Sequence, residues 1–205
     1  MIIQDVVDLA RYSEVSSTAI KDNTDAILLF INAGMLELYK RFPVKVEEHI
    51  ITLVEGTTTY SLPTDFMYPL SAHGEVEEGS ASIMSELPIN DESNPLSVFL
   101  PNHTQVQIPA VEDGAIVSII YVVKPTRYCA ADTELELDLP ETLIEPLLHY
   151  VGYKAHLGIR SDAQTETNAH YVRFDASCKK ARELGVAYPM DSWGMPSRVS
   201  SRGFV

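Results

Sequence analysis

Basic residues, cysteines, clustered glycines and long apolar runs are all scarce in this chain, and each shortage excludes something. Lysine and arginine number 15 against 29 aspartates and glutamates, a formal charge of −14. The imbalance is steepest early: the first 170 residues hold 9 basic and 26 acidic side chains, a net of −17, whereas residues 171–205 carry +3. A body this acidic is not expected to grip nucleic acid through phosphate contacts, which need clustered Lys and Arg; ordinary acidic solubility accounts for the charge at least as well. The two cysteines, Cys129 and Cys178, have no CxxC spacing. Neither a thiolate zinc cluster nor a disulfide framework is suggested, and both are read as reduced, buried thiols. No run approaches the ~20 apolar residues of a membrane span. The opening MIIQDVVDLARYSEV has no basic segment and is interrupted by Asp5 and Asp8, so no leader is read there and the chain is expected to be made and kept in solution inside a cell.

The ten glycines are dispersed. There is neither GxGxxG nor GxxxxGK[ST], so no loop of backbone N–H groups is expected to cradle a phosphate. No GxSxG elbow supports a Ser-His-Asp set. His149 and His156 lie seven residues apart on one expected helix, hence two turns and ~10 Å along its axis. That is too far for both to bind one zinc, and no HExxH or Cys partner accompanies them. They are read as interface or core-edge histidines, and no cofactor, metal or catalytic residue is expected.

What is present is a 45% hydrophobic chain of 205 residues whose periodicity changes twice. Ile27, Ile31, Met35, Leu38 and Phe42 fall at helical spacing behind Asp22 or Asn23 as a cap and before Pro43, predicting a helix over about 24–41. A shorter helix over about 4–12 precedes it. Gly34 costs that helix about 1 kcal/mol of propensity and marks a close crossing. After Pro43 the pattern alternates: VKVEEHIITLVEGTTTYSL predicts a hairpin turning at Glu55-Gly56, and FMYPLSAHGEV, LSVFLPNHTQVQIP and GAIVSIIYVVKP predict further strands, the last the most buried. The acidic, serine-rich stretch 74–94 reads as a long loop. DTELELDLP reads as an edge strand blunted by Glu134, Glu136 and Asp138. Helical spacing returns over 141–159 and 165–185, with Gly158 and Gly185 as end signals and Pro146 tolerated only in a first turn.

The chain is therefore expected to be α+β: a helical bundle of two N-terminal and two C-terminal helices (1–43 and 140–186), an inserted, mostly antiparallel β-rich region (44–139), and an extended C-terminal tail (187–205). That tail, YPMDSWGMPSRVSSRGFV, cannot sustain a helix or a central strand, yet it holds the only tryptophan. Tyr188, Trp193, Arg198, Arg202 and Phe204 have the composition of a protein-docking anchor. Folding back onto its own domain is the competing reading.

The stretches LLFINAGMLELYKRFP, TTTYSLPTDFMYPLSA, LELDLPETLIEPLLHYVGYKAHLGI and NAHYVRFDASCKKARELG, with the loose terminal segment, resemble the head-to-tail connector (adaptor) proteins of tailed bacteriophages, similar to the tail tubular A and tail accessory adaptors of short-tailed phages. The resemblance spans most of the chain and carries no catalytic residues. It implies a virion structural protein at the head-tail junction, made in the host cytoplasm and assembled as a ring, commonly of twelve copies, between the portal protein and a tail (nozzle or tubular) protein. It implies further that the C-terminal segment reaches the portal, that the β-rich region faces the tail, and that DNA passes the lumen without specific binding. Such a subunit can stay monomeric until the portal templates the ring. A tail-completion or stopper protein is an alternative in the same class. An alternative in another class is a small acidic hydrolase or binding enzyme, for which His103, Glu134 and Glu136 are the first candidate residues.

Overall fold

The computed structural model describes residues 1–78, 81–109, 113–157 and 164–185. They divide into two compact units: a helical one, which runs to Val44 and resumes at Pro125, and a β unit, Lys45–Lys124.

The helical unit holds α1 (Ile3–Tyr12), α2 (Thr24–Arg41), α3 (Ile144–His156) and α4 (Gln164–Glu183). The Asn23 side chain accepts the Ala26 N–H at 3.0 Å, an N-cap that starts α2. Phe42 turns to extended backbone ahead of Pro43, which cannot continue the helix. The stripe predicted from spacing, Ile27, Ile31, Met35, Leu38 and Phe42, is buried throughout. It packs with Ile3, Val6 and Val7 of α1, Leu147 and Val151 of α3, and Phe174 of α4 in the buried set of this unit. Gly34 is where α2 and α3 touch: a Cβ there would lie 2.6 Å from Leu147 Cδ1 and 3.2 Å from Tyr150 Cδ1. Pro146 sits in the first turn of α3, where its missing N–H costs no helical hydrogen bond. Between α3 and α4, Tyr150 meets the Phe174 ring edge-on at 5.2 Å and Tyr153 meets Tyr171 at the same separation. Arg41 closes α2 onto α4, its guanidinium 4.5 Å from the Phe174 ring centre and 3.1 Å from Asp175.

Among the described residues, the β unit contains two antiparallel sheets. One has the order β1 (Val46–Thr52), β7 (Ile116–Val123), β3 (Phe66–Glu78), β4 (Ala81–Leu87); the other has β2 (Thr59–Ser61), β6 (Gln105–Gln107), β5 (Phe99–Asn102). Strand β7, paired on both sides, buries six of its eight residues, as its near-continuous apolar run predicted. Ile51, Phe66, Ile119 and Tyr121 of the larger sheet share one core with Val106, Val98 and Leu62.

Four local expectations are corrected. First, β1 and β2 do not form a hairpin with each other: β1 pairs with β7 and β2 with β6, which sets Ile51 opposite Val117 and Tyr60 opposite Val106 in the shared core, a registration that the local turn at Glu55-Gly56 does not fix. Second, the stretch expected to be a loop from residue 74 contains the end of β3 and all of β4, paired from Ala72↔Leu87 to Glu78↔Ala81. Polar composition concealed two strands paired through their backbones, with the inner pair Ala72↔Leu87 seated in the core. Third, residues 132–140 are not an edge strand. Apart from one bridge, Ile2↔Glu136, the segment curls against the start of α1, where the carbonyls of Leu135 and Thr133 accept the Ile3 and Gln4 N–H groups at 2.9 Å each. Those amides have no partner within their own helix, so the segment serves as its cap. Fourth, Cys178 is buried but Cys129 is exposed.

Candidate functional site

The helical unit brings ionisable side chains from three separate parts of the chain to one place. Glu14 follows α1, His149 and Gly152 lie one turn apart on α3, and His170 and Arg173 lie one turn apart on α4. Glu14 is the hub. Its Oε1 stands 3.4 Å from His149 Nδ1 and its Oε2 2.8 Å from His170 Nδ1. Its backbone carbonyl is 3.2 Å from His156 Nε2. The His156 ring stacks on that of His170 with centroids 4.8 Å apart and planes 16° apart, which fixes the His170 ring plane. On the far side of the His149 ring, Nε2 is 3.9 Å from Glu145 Oε1.

Three atoms of this cluster, Glu14 Oε2, His149 Nδ1 and His170 Nδ1, are buried and make no hydrogen bond. The 2.8 Å contact between Glu14 Oε2 and His170 Nδ1 is an ion pair when the ring is protonated. Burial pushes the His170 pKa down, and His156, Arg173 and His149 push the same way against the opposing pull of Glu14. These effects favour the neutral imidazole, in which one ring nitrogen carries a lone pair. Gly152 makes room for the group: a Cβ there would lie 2.7 Å from His170 Nδ1 and 2.8 Å from Glu14 Oε2. The cluster opens into a depression of about 360 Å³ lined by Ser13, Ser17, Ala169 and Arg173 beside Glu14, His156 and His170. Chemically this is an imidazole-carboxylate donor set, with Glu14, His149 and His170 offering atoms within 4.8 Å of one another.

In the sequence, His149 and His156 stand out, whereas Glu14 and His170 do not, and each histidine there lacks a visible second ligand or orienting partner. The structure supplies both. His149 and His156 do not share a ligand position; they meet the cluster from different heights of α3, and Glu14 and His170 come from distant segments that no helical period relates. The one local signal is Gly152, a glycine inside an apolar helix one turn from a histidine.

His103, Glu134 and Glu136, the residues named for an enzymatic role, are not gathered in either unit. His103 is exposed in the turn between β5 and β6 of the β unit, whereas Glu134 and Glu136 are exposed in the segment that caps α1 of the helical unit. Tyr188, Trp193, Arg198, Arg202 and Phe204 lie outside the described residues, as does the end signal Gly158. Large apolar side chains are exposed on the helices themselves: Leu29 and Leu36, two turns apart on α2, Leu9 and Tyr12 on α1, and Val172 on α4. Scattered apolar residues are ordinary on a surface, but Leu29 and Leu36 share one face.

Comparison with known proteins adds the following. A sequence profile described as SU10 adaptor protein matches residues 2–200. Among solved structures, a chain from the neck of an empty GTA particle computed with C6 symmetry is similar at 11% identity and a TM-score of 0.31, over 78% of this chain and 80% of that one. No curated protein sequence matches.

Proposed function

Because the chain belongs to the SU10 adaptor protein family and its role is that of a head-to-tail adaptor, we propose that it works as a ring of identical subunits seated under the portal of a virion, twelve in number, joining the capsid to a tail protein. The match over residues 2–200 is the observation that carries this reading, since it takes in both units rather than one module. A ring requires two different complementary surfaces on each subunit. The exposed apolar residues of the helical unit, Leu29 and Leu36 of α2 with Tyr12 of α1 and Val172 of α4, supply material for such contacts.

The C-terminal segment is the portal-docking element of this proposal. Trp193 is its main apolar anchor, Tyr188 and Phe204 are flanking ones, and Arg198 and Arg202 steer the basic tail toward an acidic surface while the first 170 residues carry the opposite sign. DNA passes the lumen without specific binding, repelled by carboxylates. The subunit is monomeric before the portal templates the ring, because association costs entropy that only many simultaneous contacts offset. The protein acts by assembly and not by turnover.

The experiment is negative-stain electron microscopy of the protein mixed with portal-bearing capsids, in parallel with a chain ending at Gly185. The full chain is expected to form a ring capping the portal, and the shortened chain to keep its helical circular dichroism while failing to assemble. Normal assembly of the shortened chain would remove the docking role from the tail. Absence of any ring with the full chain would overturn the adaptor placement.

A further inference from the structure

The adaptor role makes no use of the Glu14, His149 and His170 cluster. The geometry points to a zinc-class divalent metal site formed by Glu14, His149 and His170, which clamps the segment after α1 to α3 and α4.

Four observations converge on it. Glu14 Oε2, His149 Nδ1 and His170 Nδ1 are buried without hydrogen bonds, although each comes from a different part of the chain. Leaving three polar atoms desolvated, with no partners but one another, is unfavourable unless something else coordinates them. The spacing is near that of a small ion's shell: bonds of ~2.1 Å set tetrahedral ligands about 3.4 Å apart, Glu14 Oε1 is 3.4 Å from His149 Nδ1, and Glu14 Oε2, at 2.8 Å from His170 Nδ1, would move apart slightly to admit the ion. All three ligating groups lie within 4.8 Å of one another, so a modest inward movement of the rings closes the set. The space beside them is kept clear by Gly152, where a Cβ would stand 2.7 Å from His170 Nδ1 and 2.8 Å from Glu14 Oε2. An alanine would serve the helix better there, so helix formation does not explain the gap. Finally, the rings have neighbours behind them: His156 stacks on His170, and Glu145 Oε1 stands 3.9 Å from the distal nitrogen of His149, longer than a hydrogen bond but on the side from which outer carboxylates orient metal-binding imidazoles.

The donor set selects the ion. Two imidazole nitrogens and a single carboxylate suit zinc and its neighbours, whereas calcium and magnesium require mostly oxygen ligands. Three protein ligands leave a fourth position for a water, and two of the ligands, Glu14 and His170, also line the depression with Ser13, Ser17 and Arg173. The site's effect is to cross-link three segments of the helical unit, so that bound metal adds to folding stability.

The test uses the untagged full-length chain, stripped with chelator and titrated with zinc chloride in competition with a chromogenic chelator. The same titration is run on Glu14→Gln, His149→Ala, His170→Ala and Gly152→Ala, with His103→Ala in the exposed β5–β6 turn as the control. One zinc per chain is expected, weakened ~10- to 100-fold or more in each cluster variant and unchanged in His103→Ala. Cobalt(II) in place of zinc is expected to give visible d–d absorption of a four-coordinate site, lost in His170→Ala. Zinc is also expected to raise the melting temperature of the parent chain and not of Glu14→Gln, which preserves shape and keeps the test valid if the alanine variants fold poorly. No stoichiometric zinc binding by the parent chain would overturn the proposal, as would binding that survives equally in Glu14→Gln and His170→Ala. Ring assembly is scored separately, so this result and that of the portal experiment stand or fall independently.

Discussion

Replacing Gly34 by alanine sets two opposed effects against each other at the α2–α3 crossing. In a helix interior the exchange gains about 1 kcal/mol of propensity. Against this, the new methyl would lie 2.6 Å from Leu147 Cδ1 and 3.2 Å from Tyr150 Cδ1. The clash is with the end of a side chain, which is cheap to move only where there is room. Leu147 is fully buried and Tyr150 nearly so, and overpacking at such sites costs ~1–3 kcal/mol. The balance is a net loss of about 1 kcal/mol, or roughly 4–8 °C in melting temperature for a unit of this size. The companion variant decides the mechanism. Leu147→Ala alone is expected to cost ~2–5 kcal/mol through its cavity. In the double variant the methyl added at position 34 occupies part of that cavity without a clash, so the pair should cost at least about 1 kcal/mol less than the two single effects added. The assay is urea denaturation followed by far-ultraviolet circular dichroism, which reports the helical unit. A stabilising Gly34→Ala, or strict additivity with Leu147→Ala, would refute the close crossing.

Three further outcomes are expected. Asn32→Ala should cost ~2 kcal/mol in the same assay, because its side chain both donates to the Tyr128 carbonyl at 2.8 Å and accepts the Tyr128 N–H at 2.9 Å, and both backbone groups lose their partner together. A thiol reagent at about pH 8 should modify one cysteine of the native chain quickly and the second only in denaturant: Cys129 is exposed, while burial pushes the Cys178 thiol up to about 11. Two fast thiols would place Cys178 at the surface. The same burial predicts alkaline sensitivity. Cys178 and Tyr121, the latter raised to about 12 chiefly by burial, stay protonated in the fold beyond the pH at which they ionise in the unfolded chain. The unfolded state therefore holds fewer protons and stability should fall as pH rises from about 9; a flat profile from about 9 to about 11 would contradict it.

Local chemistry was enough to determine much of this protein. The α2 boundaries follow from an Asn23 cap and a Pro43 stop, and the buried stripe from a helical period of about 3.6 residues, because both are interactions between residues a few positions apart. The burial of β7 follows from its apolar run in the same way, and Gly34 marked its crossing because a mid-helix glycine has few other uses. The α+β class needed no more than the change of period at Pro43 and its reversal after Pro140. Family resemblance came from the same stretches, which is why it pointed to a role and to no site.

Tertiary structure alone decided the pairings and the cluster. Strand β1 joins β7, far along the chain, placing Ile51 opposite Val117 in the core, and a turn signal at Glu55-Gly56 carries no information about that distant partner. The segment around Glu134 and Glu136 alternates like a strand, but its carbonyls were taken by the unpaired amides at the start of α1, a demand set by another part of the chain. Glu14, His149 and His170 stand at positions that no period links, and they meet only because α3 and α4 pack together and the turn after α1 closes over them. A periodic pattern records the faces a helix presents to its neighbours; which side chains those neighbours bring to the same point is settled by packing, and packing is a property of the whole unit.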